Sequence, residues 1–141
     1  MSRFKFRIWD KENLEMYDEA IVGNFPKTVP MVLVGGDWLH IEPKVCEVMQ
    51  CTGIKDIDKQ FIYEGDICAV TYCNFDGEPY DNVLIREVKW KNSGYRLCEN
   101  YSGTELSSSL TTKDIFSVKV IGNIYEGVKT EFEYITHYQH C

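Results

Sequence analysis

Gln50 to Asp66 reads QCTGIKDIDKQFIYEGD, and this short stretch combines turn chemistry with the entrance to a strand. Thr52-Gly53 and Glu64-Gly65-Asp66 are turn signals, because glycine reaches positive φ without steric cost and aspartate can hydrogen-bond its own backbone. Each predicts a change of chain direction. The run that follows, Asp66-Ile67-Cys68-Ala69-Val70-Thr71-Tyr72, is dense in β-branched and aromatic residues, which at this length favours a strand over a helix. Alternation places Ile67, Ala69 and Thr71 on one face and Cys68, Val70 and Tyr72 on the other. Both faces are apolar enough to predict a strand buried on two sides.

Toward the N-terminus, Phe4, Phe6 and Ile8 alternate with Lys5, Arg7 and Trp9, which predicts an opening strand with one buried face and Trp9 pointing outward. Asp10 to Asn13 forms a polar turn, and Leu14 to Tyr17 returns as the second strand of a hairpin. Residues 18–44 are broken by Pro26, Pro30 and Pro43. Met31–Val34 and Trp38–Ile41 are short strands around the turn Gly35-Gly36-Asp37, and Pro43 to Gln50 has room for one helical turn. On the other side, Asn74 to Pro79 is a loop, Val83 to Trp90 a strand, Asn92-Ser93-Gly94 a turn and Tyr95 to Cys98 the returning strand. Gly103 to Thr112 is polar and serine-rich. Phe116 to Ile121 is a last strand, broken by Gly122-Asn123 before Ile124-Tyr125-Glu126. Short strands with turns every 8 to 12 residues or so predict an all-β protein whose later part is a small barrel.

Three segments in order, FRIWDKENLEMY (Phe6 to Tyr17), MQCTGIKD…FIYEGDI (Met49 to Ile67) and VIGNIYEG (Val120 to Gly127), resemble the YopX family of phage and prophage proteins, whose members carry similar segments in the same order. Cys51 stands where the family often has an aromatic residue, and Asp56 to Gln60 lacks its usual Asn-Gly turn. The resemblance implies an SH3-like barrel component, a phage or prophage origin and no assigned activity. With the strand pattern it gives an N-terminal β-rich arm over residues 1–50, an SH3-like barrel over 51–127 and a tail over 128–141.

The chain of 141 residues is 44% hydrophobic and 13% aromatic, which predicts a folded domain with a real core. No apolar run approaches the roughly 20 residues that cross a bilayer, and the charged start predicts a soluble, cytoplasmic protein. Fifteen Lys and Arg against 22 Asp and Glu give a net charge of −7, which disfavours nucleic acid through long-range repulsion, although Arg86, Lys89 and Lys91 form a local basic stripe. The six cysteines are expected as reduced thiols filling small apolar sites, in preference to a zinc site built on Cys46, Cys51, Cys68 and Cys73.

Asp56-Ile57-Asp58 has the pattern of a cation ligand, but turns collect aspartate for their own reasons. Glu64 and Asp66 could share acid and base work if buried together, yet no histidine or nucleophile accompanies them. His137, His140 and Cys141 form a clip at the end of the chain, and Asn100-Tyr101-Ser102 matches a glycosylation sequon. These readings predict a non-enzymatic protein with no metal and no cofactor. Its candidate interaction surface is Trp9, Tyr63, Glu64, Asp66, Trp90 and Tyr125, engaging a protein partner or a second copy of the chain. The alternative is a nucleic-acid-associated accessory factor.

Overall fold

The computed structural model describes residues 5–21, 30–101 and 104–128, and the chain divides into two compact units, Met1–Gly53 and Ile54–Cys141. The tail 129–141, with the His137, His140 and Cys141 clip, lies outside the described residues, as do Phe4, Pro26 and Ser102 of the sequon. Among the described residues the regular structure is β-strand apart from one 3-10 turn at Pro43–Val45. All paired strands run antiparallel.

In the first unit β1 (Phe6–Asp10) and β2 (Glu15–Ile21) form the expected hairpin. Asp10 shapes its turn: Oδ1 accepts the backbone N–H groups of Glu12 and Asn13 at 2.9 and 3.1 Å, and Oδ2 accepts from the Asn13 amide at 2.9 Å. β3 (Met31–Val34) and β4 (Asp37–His40) flank the Gly35-Gly36 turn, where both glycines sit at positive φ. The helical turn after Pro43 stops at Val45, and β5 (Cys46–Lys55) begins directly. β1 is therefore central, paired with β2 on one side and β5 on the other.

The burial of its residues corrects the one-faced reading of β1. Arg7, Ile8, Trp9 and Asp10 are all buried, so Trp9 does not face solvent. Alternation separates two faces but cannot say that one is wet. Ile8 packs with Val32, Ile41 and Cys46 in the first core, against which Tyr17, Ala20 and Val45 rest. Thr52-Gly53 is a second correction: both residues lie inside β5. The positive φ of Gly53 (81°) falls within the strand.

The sheet order is β4-β3-β2-β1-β5-β6, with β6 at Phe61–Tyr63. A second sheet, β10-β9-β8-β7-β11-β12, lies within the second unit. Its strands are β7 (Asp66–Cys73), β8 (Pro79–Lys91), β9 (Gly94–Tyr101), β10 (Thr104–Ser109), β11 (Ile115–Asn123) and β12 (Gly127–Val128). Neither sheet closes into a barrel, and β10 and β12 remain as ends. The serine-rich segment supplies β10, because cross-strand pairing to β9 supports a strand that propensity alone does not signal.

Strand β7 sits between β8 and β11 and is apolar on both faces, as its alternation predicts. Cys68 and Val70 join Ile62, Val88, Leu97 and Leu110 in the main core, with Tyr72 packed against it. On the opposite face Ala69 and Ile121 form a smaller cluster with Ile67, Val83 and Ile85. A bulge between Val120 and Gly122 lets Ile121 serve that second face.

Leu97, with no exposure, sits where truncation leaves a cavity. Leu97→Ala is expected to cost about 2–5 kcal/mol in urea unfolding. A pH effect follows from Asp10, whose carboxyl is held below its usual range by the Asn13 amide and then the Asn13 backbone N–H, against an opposing push from burial. A lowered folded-state pKa stabilises above the unfolded value of about 3.9 and is lost as pH falls through the lower folded value. The stability gap between wild type and Asp10→Asn should therefore narrow between about pH 6 and about pH 2.

Candidate functional site

The turn Glu64-Gly65 between β6 and β7 is built from hydrogen bonds that its own sequence supplies. Asp66, 1% exposed, uses Oδ2 to accept the Tyr63 N–H at 2.7 Å. Gly65 takes φ 88°, donates its N–H to Val88 O at 2.9 Å and accepts the Ile124 N–H at 2.9 Å. It thereby joins β8 to the turn that follows β11. That second turn is closed by Asn123, whose Oδ1 accepts from the N–H groups of Tyr125 (3.0 Å) and Glu126 (2.8 Å) while its amide donates to Glu126 Oε1 at 2.9 Å. Gly122 must lack a Cβ, since one there would collide with the Gly127 carbonyl.

Of the sequence-predicted surface, Tyr63, Glu64, Asp66 and Tyr125 thus come together where the two turns meet at Gly65. Tyr63 and Asp66 are buried, while Glu64 and Tyr125 are half-buried. Glu64 and Asp66 therefore occupy different surroundings despite their matching alternation. Trp90 lies two residues beyond Val88 and is exposed, with its ring edge-to-face on Tyr95 at 4.8 Å and 75°. The tight turn Asn92-Ser93, both at positive φ, fixes that pair across the β8–β9 hairpin. Trp9 belongs to the first unit and is buried.

Asp56 is likewise a structural acceptor. Its Oδ1 takes the N–H groups of Asp58 and Gln60, each at 2.9 Å, and its Oδ2 takes the Val120 N–H at 2.9 Å. Asp58 is instead exposed and pairs with Lys119 at 3.0 Å. The two carboxylates of the D-x-D pattern are committed to different partners. Among the described residues no group of three or more His, Cys, Asp or Glu is placed to hold a metal ion. The basic stripe is also divided. Arg86 is buried on the core face beside Val88 and ion-paired with Glu99, whereas Lys89 and Lys91 alternate to the opposite face. There Lys89 stands directly across from Arg96.

Two exposed apolar features escape the sequence reading. Between the Asp56–Gln60 loop and the segment from Leu110 to Val118 lies a cleft of about 340 Å³, with Ile62 and Leu110 buried beneath Ile57 and Phe116, which are 62% and 54% exposed. Lys55 stands beside it with its ammonium 4.9 Å from the Phe61 ring centre. The loop from β7 to β8 presents Phe75 in full exposure, together with exposed Tyr80. Asn74 Oδ1 accepts from the N–H groups of Asp76 and Glu78, and Gly77 N–H bonds Asn74 O. The signal for this loop was present as Asn-Phe-Asp-Gly, an Asx turn around an aromatic residue.

The family described as "YopX protein" matches residues 5–129. The chain belongs to the YopX family. No curated protein matches it. Among solved structures it is similar to yopX from Bacillus subtilis at 17% identity, covering 87% of this chain and 94% of that one with a TM-score of 0.56. It is also similar to protein EF1440 from Enterococcus faecalis at 20% identity, covering 93% and 96% with a TM-score of 0.51. These likenesses bear on the fold. The segments that resemble the YopX family contain Asp56, Asp66 and Asn123, the side chains that cap backbone N–H groups at its turns. No helix among the described residues is long and apolar enough to cross a membrane.

Asp56→Ala removes three acceptor bonds at once and is expected to cost roughly 3 kcal/mol, because backbone donors lose a charged acceptor. Asp58→Ala removes only an exposed ion pair and should cost less than about 1 kcal/mol. Urea unfolding of both variants, with and without added Ca²⁺, tests the assignment. Equal losses, or a calcium-dependent gain confined to wild type, would show the two carboxylates working together as cation ligands.

Proposed function

We propose that the chain is a non-enzymatic accessory protein of phage or prophage origin, acting in the bacterial cytoplasm without a metal or cofactor. It works as an interaction module that binds a protein partner or a second copy of itself, and its second unit plays the part of an SH3-like domain. The observation that carries this reading is the exposure of Ile57, Phe75, Tyr80, Trp90 and Phe116 on that unit. Two of them, Ile57 and Phe75, stand on loops whose backbone is held by internal hydrogen bonds. Apolar groups on a pre-organised backbone bind with little ordering cost, and aromatic residues are the usual anchors of protein interfaces. Of the pair that the sequence offers for acid and base work, Glu64 and Asp66, the buried Asp66 accepts the Tyr63 N–H, and Asp56 of the cation-ligand pattern likewise accepts backbone N–H groups.

A nucleic-acid-associated role is the second reading, and the placement of Lys89 opposite Arg96, with Lys91 on the same face, favours it. The net charge of −7 works against it at long range.

Affinity capture of the tagged chain from lysate of phage-infected host cells separates the two. Nuclease-treated samples and a Phe75→Ala, Trp90→Ala double variant run alongside. The expected result is a protein partner that persists through nuclease and is lost with the double variant, whose thermal unfolding stays unchanged. Recovery of nucleic acid, with binding that weakens steeply with salt, would replace the interaction-module reading by the second one.

A further inference from the structure

We propose that two copies of the chain dock reciprocally, the Phe75 loop of each entering the cleft beneath Ile57 and Phe116 of the other. This rests on the interaction-module reading and names its partner. A fully exposed phenylalanine on a loop closed by its own hydrogen bonds is an anchor that needs little ordering before it binds. The cleft, about 340 Å³ with Ile54, Ile62, Leu110, Ile115 and Val118 among its lining, offers one aromatic side chain an apolar seat.

Charge gives the pairing its sense. From Asn74 to Asn82 the loop carries Asp76, Glu78 and Asp81 and no basic residue. Around the cleft stand Lys55, Lys59 and, beyond Thr112, Lys113, all exposed. Asp56 is buried under three backbone N–H groups, and Asp58 is paired with Lys119. Asp114 accepts from the Thr112 hydroxyl at 3.4 Å. An acidic loop thus meets a rim on which Lys55, Lys59, Lys113 and Lys119 outnumber Asp56, Asp58 and Asp114.

Placement gives the symmetry. Cys73, at the root of the loop, donates its N–H to Asp114 O at 2.7 Å and its thiol to Lys113 O at 3.5 Å, and Ile115 sits opposite Tyr72. The segment from Thr112 to Phe116 therefore borders both the Phe75 loop and the cleft. Knob and hole that lie side by side on one surface are satisfied together by a two-fold axis, which closes the assembly at two copies.

Sedimentation velocity on the full chain at concentrations up to about 1 mM, the weakest association the proposal allows, tests it. Phe75→Ala and Phe116→Glu are run alongside, and methyl and amide NMR shifts are followed for Ile57, Leu110 and Ile115. The expected result is a wild-type dimer, at least tenfold weaker self-association in each variant, and cleft shifts that move with concentration in wild type but not in Phe75→Ala. Both substitutions fall at exposed positions, so unchanged thermal unfolding separates lost docking from lost folding. A wild-type monomer throughout the range, a dimer that survives Phe75→Ala, or a dimer whose cleft resonances stay fixed would each overturn the proposal. The lysate capture answers the broader reading separately, since a foreign protein partner can be found whether or not the chain pairs with itself.

Discussion

The fold of the second unit depends on Asp56. A single carboxylate closes the loop between β5 and β6 through Asp58 and Gln60 and then reaches β11 through the Val120 N–H, 64 positions along the chain. Ile57 N–H adds a bond to Val118 O at 2.9 Å. Together they bring the loop over the end of the main core, where Ile62 and Val118 pack. The charge on Asp56 strengthens each bond, and its burial makes leaving the donors unmet expensive. The same device recurs twice more: Asp66 holds the turn into β7, and Asn123 holds the turn after β11. Gly65 then ties those two turns to β8 and to each other.

Much of this was legible because strands and turns write their signals locally. The two-sided burial of β7 follows from apolar residues at successive positions, and the hairpins around Gly35-Gly36 and Asn92-Ser93 follow from residues that tolerate positive φ. Long-range pairing leaves no such trace. Trp9 reads as outward because it alternates with Ile8, but β1 is flanked by β2 and β5 and is buried on both faces. Thr52-Gly53 reads as a turn because glycine permits one, while both residues lie inside β5 with Gly53 at positive φ. Barrel closure is equally invisible to periodicity, since it depends on whether the last strand finds the first.

The candidate surface was legible in part, for a related reason. Trp90 shares its alternation face with Val88 in the core, and only its position near the end of the β8–β9 ladder leaves it exposed beside Tyr95. Tyr63 and Asp66 flank the Glu64-Gly65 turn and are buried, Asp66 on a strand with β8 on one side and β11 on the other. Exposure at a sheet end is set by where neighbouring strands stop. Phe75 went unread although its signal is local, an aromatic residue enclosed between Asn74 and Asp76-Gly77 in a loop too short to fold it back.

These constraints also say where function has room to sit. At Asp56, Asp66 and Asn123 the side chain is part of the backbone's own hydrogen bonding, so substitution there trades directly against folding. Gly122, pressed against the Gly127 carbonyl, is held as tightly. Ile57 and Phe75 are different: each stands on a loop held by its neighbour Asp56 or Asn74, and its own side chain is left to solvent. The framework residue fixes where the exposed one points and lets its chemistry change without altering the turn. Ile57 and Phe75 are therefore the positions where side-chain chemistry can vary at little cost to the fold, while Asp56 and Asn74 keep their backbones still.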